Sequence, residues 1–163
     1  MKLIKQLKRL DFKSILTLLR LCFRFPFFVF PTLSATKKCM SISTEHYGRK
    51  HYKNGPANAF RHALWNYVIA KKCSFITSNK ATLLMWAKKI TDWHEHAFPN
   101  RELAKKMDLH NNEVGRFIFS EYSLKTEYEV IKILKKMTLI SVKVDSSSNF
   151  DDFKNRLVHI IND

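Results

Sequence analysis

The sequence predicts a mainly α-helical protein, a compact multi-helix bundle led by a basic, amphipathic and hydrophobic N-terminal arm. Two observations carry this reading. Only three Gly and four Pro punctuate 163 residues, too few for a turn-rich all-β fold. Several long stretches repeat apolar residues at three- and four-residue spacing, the period of a helix buried along one side. A hydrophobic fraction of 45% suits a folded core, and at this length a single domain is expected. The chain divides into an arm over residues 1–33 and one helical domain over 34–163, with its site between residues 58 and 116.

Charge is distributed unevenly. Lys and Arg outnumber Asp and Glu 29 to 14, a formal net charge of +15. Residues 1–54 hold twelve of the basic side chains and only Asp11 and Glu45 as acids. Such a field attracts phosphates, on lipid headgroups or on nucleic acid, and charge alone does not choose between them. Cys22, Cys39 and Cys73 show no CxxC spacing. Neither a closed disulfide framework nor cysteine-bound zinc is therefore expected.

In the arm, Leu3, Ile4, Leu7 and Leu10 recur at helical spacing opposite Lys2, Lys5, Lys8 and Arg9. The apolar run from Ile15 to Leu33 approaches a membrane-spanning length. Arg20 and Arg24 interrupt it, and Pro26 and Pro31 are expected to break any continuous helix. An interfacial segment fits better than a spanning one or a signal peptide, with Phe23, Phe25, Phe27, Phe28 and Phe30 in the acyl boundary and the cations on headgroups. The competing reading packs the same Leu/Phe face on the domain's own core. Ser34 to Asn54 lacks clear periodicity and reads as a loop, in which His46 and His51 are expected to be solvated.

Three polar clusters follow. From Ala57 a helix is expected, with Phe60, Ala63, Leu64, Tyr67 and Val68 as its apolar stripe and Asn58, His62 and Asn66 along one face. Asn79 to Ala97 reads as a second helix whose last turn carries Asp92, His94, Glu95 and His96, stopped by Pro99. Asp92, Glu95 and His96 are expected on one face, with His94 turned away. That face suits a divalent metal or a base tuned by its neighbour. A helix end that merely uses His against its dipole would not favour acids there. The third cluster, MDLHNNEVGR, predicts a helix through Phe119 with Asp108 at its N-cap or first turn. Asp108, Asn112 and Arg116 share a face, and His110 pairs with Glu113 on the next. Gly115 within a helix implies close approach of another helix or of a substrate. A core histidine satisfied by a carbonyl is the plain alternative for His62, and a solvated face is the plain alternative for the third cluster.

Taken together, AFRHALWN, the HE element and MDLHNNEVGR resemble the motif set of a bacterial toxin-like domain family. Its members recur as C-terminal modules of secreted or cell-wall-associated proteins. The resemblance covers Asn54 to Phe119 and falls on Arg61, His62, Trp65, Asn66, His94, Glu95, Asp108, His110, Asn111, Asn112, Gly115 and Arg116. Trp93 stands where a smaller residue is more usual. The resemblance implies a secreted or delivered effector and, with it, an immunity or carrier protein.

Beyond Thr126 an amphipathic helix is expected to Met137 with Val130, Ile131, Ile133 and Leu134 inward. A short strand or helix extension over Leu139–Val144, a serine-rich loop and a last helix over Asp151–Ile161 follow, with His159 structural. The function these readings favour is a hydrolase with water as nucleophile. Its catalytic groups would be His62, Glu95, Asp108 and His110. Substrate would meet Arg61, Asn66, Asn111, Asn112 and Arg116. A divalent zinc or manganese ion would be held among His62, His94, Asp108 and His110. The basic, Phe-rich arm favours an anionic membrane surface and a phospholipid or other phosphoester. A nuclease using the same site is less favoured, because the arm has no use on nucleic acid. A non-enzymatic helical binding domain, its polar groups forming a buried network that fixes helix packing, is the remaining alternative.

Overall fold

The computed structural model describes residues 10–98 and 100–162. The stripe at Leu3, Ile4 and Leu7 and the helix stop at Pro99 lie outside them. Among the described residues the chain is a bundle of six α-helices, as its composition predicts: α1 (Phe12–Arg24), α2 (Pro26–Tyr47), α3 (Pro56–Cys73), α4 (Lys80–Ala97), α5 (Glu102–Tyr122) and α6 (Glu127–Leu139). A two-stranded parallel ribbon, β1 (Val142–Lys143) and β2 (Val158–His159), closes the fold.

Asp11 caps α1 by accepting the Ser14 amide at 3.0 Å. The chain then bends by 114° between α1 and α2. The break falls at Phe25 because a residue before proline is driven out of the helical region, while Pro26 itself is well placed as the first residue of α2. Pro31 was expected to end a helix and does not. It removes one backbone hydrogen bond, and α2 continues through it because Phe28, Thr32, Ala35, Cys39 and Ser43 are buried against the body. The loop expected over 34–54 is therefore mostly helix, followed by a 3₁₀ turn at Lys50–Tyr52. His51, expected to be solvated, is buried there with Nε2 3.1 Å from Thr44 Oγ1.

All three tryptophans fasten α1 and α2 to the body. Trp65 Nε1 donates to Thr36 Oγ1, Trp86 Nε1 to Thr32 Oγ1 and Trp93 Nε1 to the Ser14 carbonyl, each at 2.9 Å. The arm thus packs one side on the domain while its other side faces outward. No single described helix is long and apolar enough to cross a membrane; only α1 and α2 taken together meet that test, across their sharp bend.

α3 is the central helix. Ala57, Phe60, Ala63, Leu64, Tyr67, Val68, Ile69 and Ala70 are buried around it, which is why its sequence is apolar on nearly every side. α4 begins close to the expected start, with Asn79 as its cap, accepting the Thr82 amide. α5 starts at Glu102, six residues before the expected start. Ala104, Met107, Asn111 and Val114 form a buried stripe across the basic stretch, so Asp108 lies inside the helix and caps nothing. α6 opens with a reciprocal cap between Thr126 and Glu129.

The helix expected over Asp151–Ile161 is absent. One 3₁₀ turn at Phe150–Phe153 gives way to Asn155 at φ 61°, and Val158 becomes extended to pair with β1. Asn111 holds that strand in place, accepting the Val158 amide at 3.0 Å and donating to its carbonyl at 2.9 Å.

α3 and α5 pack closely at Gly115. A Cβ built on Gly115 would lie 2.2 Å from the Ala63 carbonyl oxygen, a backbone atom that no side-chain rotation can move. Gly115→Ala should therefore force the helices apart and lower stability by about 1–3 kcal/mol or more. Denaturant unfolding measures this, and adding Ala63→Gly should restore none of the loss because the clash is with backbone.

Candidate functional site

The α3–α5 crossing, with the end of α4 against it, brings His62, Glu95 and Asp108 into one buried cluster. One ligand-type atom from each lies within 4.8 Å of the others. His62 Nε2 is 3.3 Å from Asp108 Oδ1, and Nδ1 is 3.6 Å from Glu95 Oε1.

A chain of amides fixes the state of the imidazole. Arg116 can only donate, so the Asn66 atom 3.0 Å from its Nη1 is Oδ1, which the Thr91 hydroxyl also approaches. Asn66 Nδ2 therefore faces Asn112 and donates to its Oδ1 at 2.8 Å. That leaves Asn112 Nδ2 for Glu95 Oε1 at 3.4 Å, and makes Asn112 Oδ1 the acceptor for His62 Nδ1 at 3.2 Å. His62 thus carries its proton on Nδ1 and turns a lone pair out at Nε2. Arg61 Nη2 donates to that lone pair at 2.7 Å.

Burial, and then the neighbouring Arg61 charge, hold His62 well below the usual histidine range. Its contacts with the two carboxylates are therefore those of a neutral ring, not ion pairs. Burial raises Glu95 to about 7, against the lowering effects of the Asn112 bond and Arg61. Burial raises Asp108 to about 8, helped by the charge of Glu95. Asp108 Oδ1 is buried with no hydrogen-bond partner. Asp108 Oδ1 is thus an acceptor without a donor, 3.3 Å from a His62 Nε2 whose lone pair Arg61 already engages, and a proton on the carboxyl or a metal cation in place of the guanidinium resolves it.

The other expected site residues are placed differently. Asn66, Asn112 and Arg116 belong to the network as supports; Asn111 is spent on Val158. His110 is not in the cluster: its Nε2 is 2.8 Å from the Arg156 carbonyl and its ring packs on Phe150, so the tail claims it. His94 is also outside the ligand set. It packs against Trp65 and Phe98 and lines an apolar cavity beside His62, with burial and Arg61 lowering it to about 4. Glu95, expected as a base, joins His62 and Asp108 in the buried cluster. It lies on the buried edge of α4 with Thr91, while Asp92 pairs with Lys88 and His96 is exposed. Thr91 was not anticipated; its spacing of four from Glu95 was the available signal.

The chain has family relatives. It belongs to the family described as a domain of unknown function, DUF6973, which matches residues 19–141. The match is wider than Asn54–Phe119 and takes in the end of α1, all of α2 and α6. That description gives no activity and no toxin assignment. No curated protein and no solved structure matches the chain.

The raised carboxylates give stability an unusual pH dependence. Unfolded Asp and Glu are ionised above about pH 5, whereas folded Asp108 and Glu95 take up protons near 8 and 7. Stability of metal-free protein should therefore rise as pH falls from about 9 to 7, a window above the unfolded histidine range. Thermal melts across that window check it, and Glu95→Gln combined with Asp108→Asn should flatten the dependence.

Proposed function

We propose that this chain is a hydrolase of phosphoesters presented at an anionic membrane surface, using a divalent metal ion at His62, Glu95 and Asp108. The observation that carries the reading is the convergence of three buried lone-pair donors, with Asp108 Oδ1 left unpaired against His62 Nε2. One imidazole nitrogen and two carboxylates are a donor set for zinc or manganese. Such an ion supplies a water that ionises near neutral pH. Glu95 offers two oxygens, so ligation by one leaves the other to accept a proton. Arg61 stands at the same point with its guanidinium free to pair with phosphate once it leaves His62. The Arg116–Asn66–Asn112 chain supports this chemistry by keeping the Nε2 lone pair directed into the cluster.

The membrane part of the proposal rests on α1 and α2. Phe12, Leu16, Leu19 and Phe23 are exposed at helical spacing on α1, and Phe27 and Phe30 continue the apolar surface on α2. Lys13, Arg20 and Arg24 are exposed among them. Aromatic side chains beside cations are the composition of an interfacial segment. The effector or toxin role, and with it an immunity or carrier partner, rests on the motif resemblance alone.

One contact favours a second reading. Arg61 already places a positive charge on His62 Nε2, so the cluster is also a self-contained buried network that fixes helix packing. Elemental analysis separates the two. Protein purified without chelator should carry about one zinc or manganese per chain, lost in His62→Gln and in Asp108→Asn variants whose melts show them folded. Hydrolysis of phosphoesters on anionic vesicles should fall by about 100-fold or more in Glu95→Gln. Absence of metal from active protein would remove the ion from the reading; absence of both metal and hydrolysis would leave the structural network.

A further inference from the structure

Between the arm and the body lies a cavity of about 480 Å³ that the cluster alone does not explain. Its walls are apolar: Leu18 from α1, Val29 and Met40 from α2, and Trp86, Ile90 and Trp93 from α4. Arg61, His62 and His94 also line it, and they form one polar patch. Arg61 touches His62, and His94 lines the cavity beside them. Leu33 and Tyr52, at 45% and 57% exposed, bring the lining out to the surface. A cavity with apolar walls and one convergent polar end selects an amphiphile.

We propose that this cavity binds one alkyl chain of an anionic single-chain amphiphile, with its oxyanion head on Arg61 beside His62. The inference rests on the hydrolase reading for what happens next: it makes a monoacyl phosphoester the substrate class, delivered tail-first from the surface that α1 and α2 present. Arg61 is the one permanently charged group in the patch, which sets the sign of the head. A volume of this size is at the lower end of ligand cavities and admits one chain, not the two of a diacyl lipid. The tryptophans bring an intrinsic reporter, since Trp65, Trp86 and Trp93 all line the cavity.

The test is a chain-length series of alkyl phosphates and alkyl carboxylates from eight to fourteen carbons, each kept below its self-association concentration and read by tryptophan fluorescence. Affinity should rise about fourfold per methylene until the cavity is full and then level off. The phosphate and carboxylate arms distinguish a phospholipid-derived ligand from a free fatty acid. Met40→Trp and, as a second obstruction, Val29→Phe should each weaken binding at least about tenfold. Arg61→Gln should erase the preference for charged over neutral heads. Phe27→Ser combined with Phe30→Ser should leave affinity for dissolved ligand in place. Affinity that ignores both obstructions and falls with the Phe27 and Phe30 changes would overturn the cavity in favour of surface adsorption. Chain binding that persists in Glu95→Gln with no hydrolysis in the wild type would sink the hydrolase and spare the cavity. Hydrolysis with no dependence on chain length would do the reverse.

Discussion

Everything in the site depends on how closely α3 and α5 approach at Gly115. With no side chain there, α5 rests on the Ala63 carbonyl. His62 precedes Ala63, and Asn112 lies about one turn before Gly115, so the crossing that seats the glycine also sets Asn112 Oδ1 against His62 Nδ1. Asn66 is one turn further along α3 and meets Asn112; Arg116 follows Gly115 and reaches Asn66. The order of donors and acceptors then has one solution, because a guanidinium at its far end can only give protons. A backbone contact thus determines which nitrogen of His62 bears a proton. The tautomer is a consequence of helix packing, not of any residue bonded to the ring alone.

The same burial creates an electrostatic imbalance. Two carboxyl groups and one imidazole are taken out of water with a single touching cation, Arg61, in a protein whose net charge is +15. The many other cations do not compensate, because surface charges a Debye length away are screened while Glu95 and Asp108 are buried together in one cluster. Burying two acids is costly unless they are paired or bind a metal. A merely structural network could have used amides throughout, as it does at Asn66 and Asn112. Acids at two of the three remaining positions are the part of the cluster that helix packing does not require.

Much of this was legible in the sequence. Helical periodicity located α3, α4 and α6, and the spacing of His62 and Asn66 put them on one face. The same periodicity, extended upstream from Asp108, would have found the true start of α5; the basic residues concealed it because Ala104 is the only buried position between Arg101 and Lys106. Pro31 and the scattered Ser and Thr hid the helical continuation of α2, whose burial depends on distant tryptophans that no local pattern reveals. His110 and Asn111 looked like site residues because they stand in the densest polar run of the chain. On an α-helix, adjacent residues diverge by about a quarter turn, so Asp108 and Asn112 face α3 and α4 while Asn111 and His110 face the tail. The tail itself was misread as helix: the apolar spacing of Phe153, Leu157 and Ile161 is helical, but the Asn111 side chain offers Val158 the hydrogen bonds of a strand.

The arm has two faces and both bear on the site. α1 buries none of its residues fully, so its attachment relies on contacts such as the Trp93 bond to Ser14 and the partial packing of Leu18 and Leu21. α2 is held more deeply, through Phe28, Thr32 and Ala35. The cavity wall is therefore firm on the α2 side and weakly held on the α1 side. Elements with few buried contacts open at the lowest free energy, and α1 is such an element. It is also the helix whose outer stripe of Phe12, Leu16, Leu19 and Phe23 would meet a lipid surface first. An interface that draws this stripe outward acts on the wall of the cavity through the same backbone. On the proposed membrane reading, access to Arg61 and His62 would then depend on the surface that supplies their ligand, with no separate lid required.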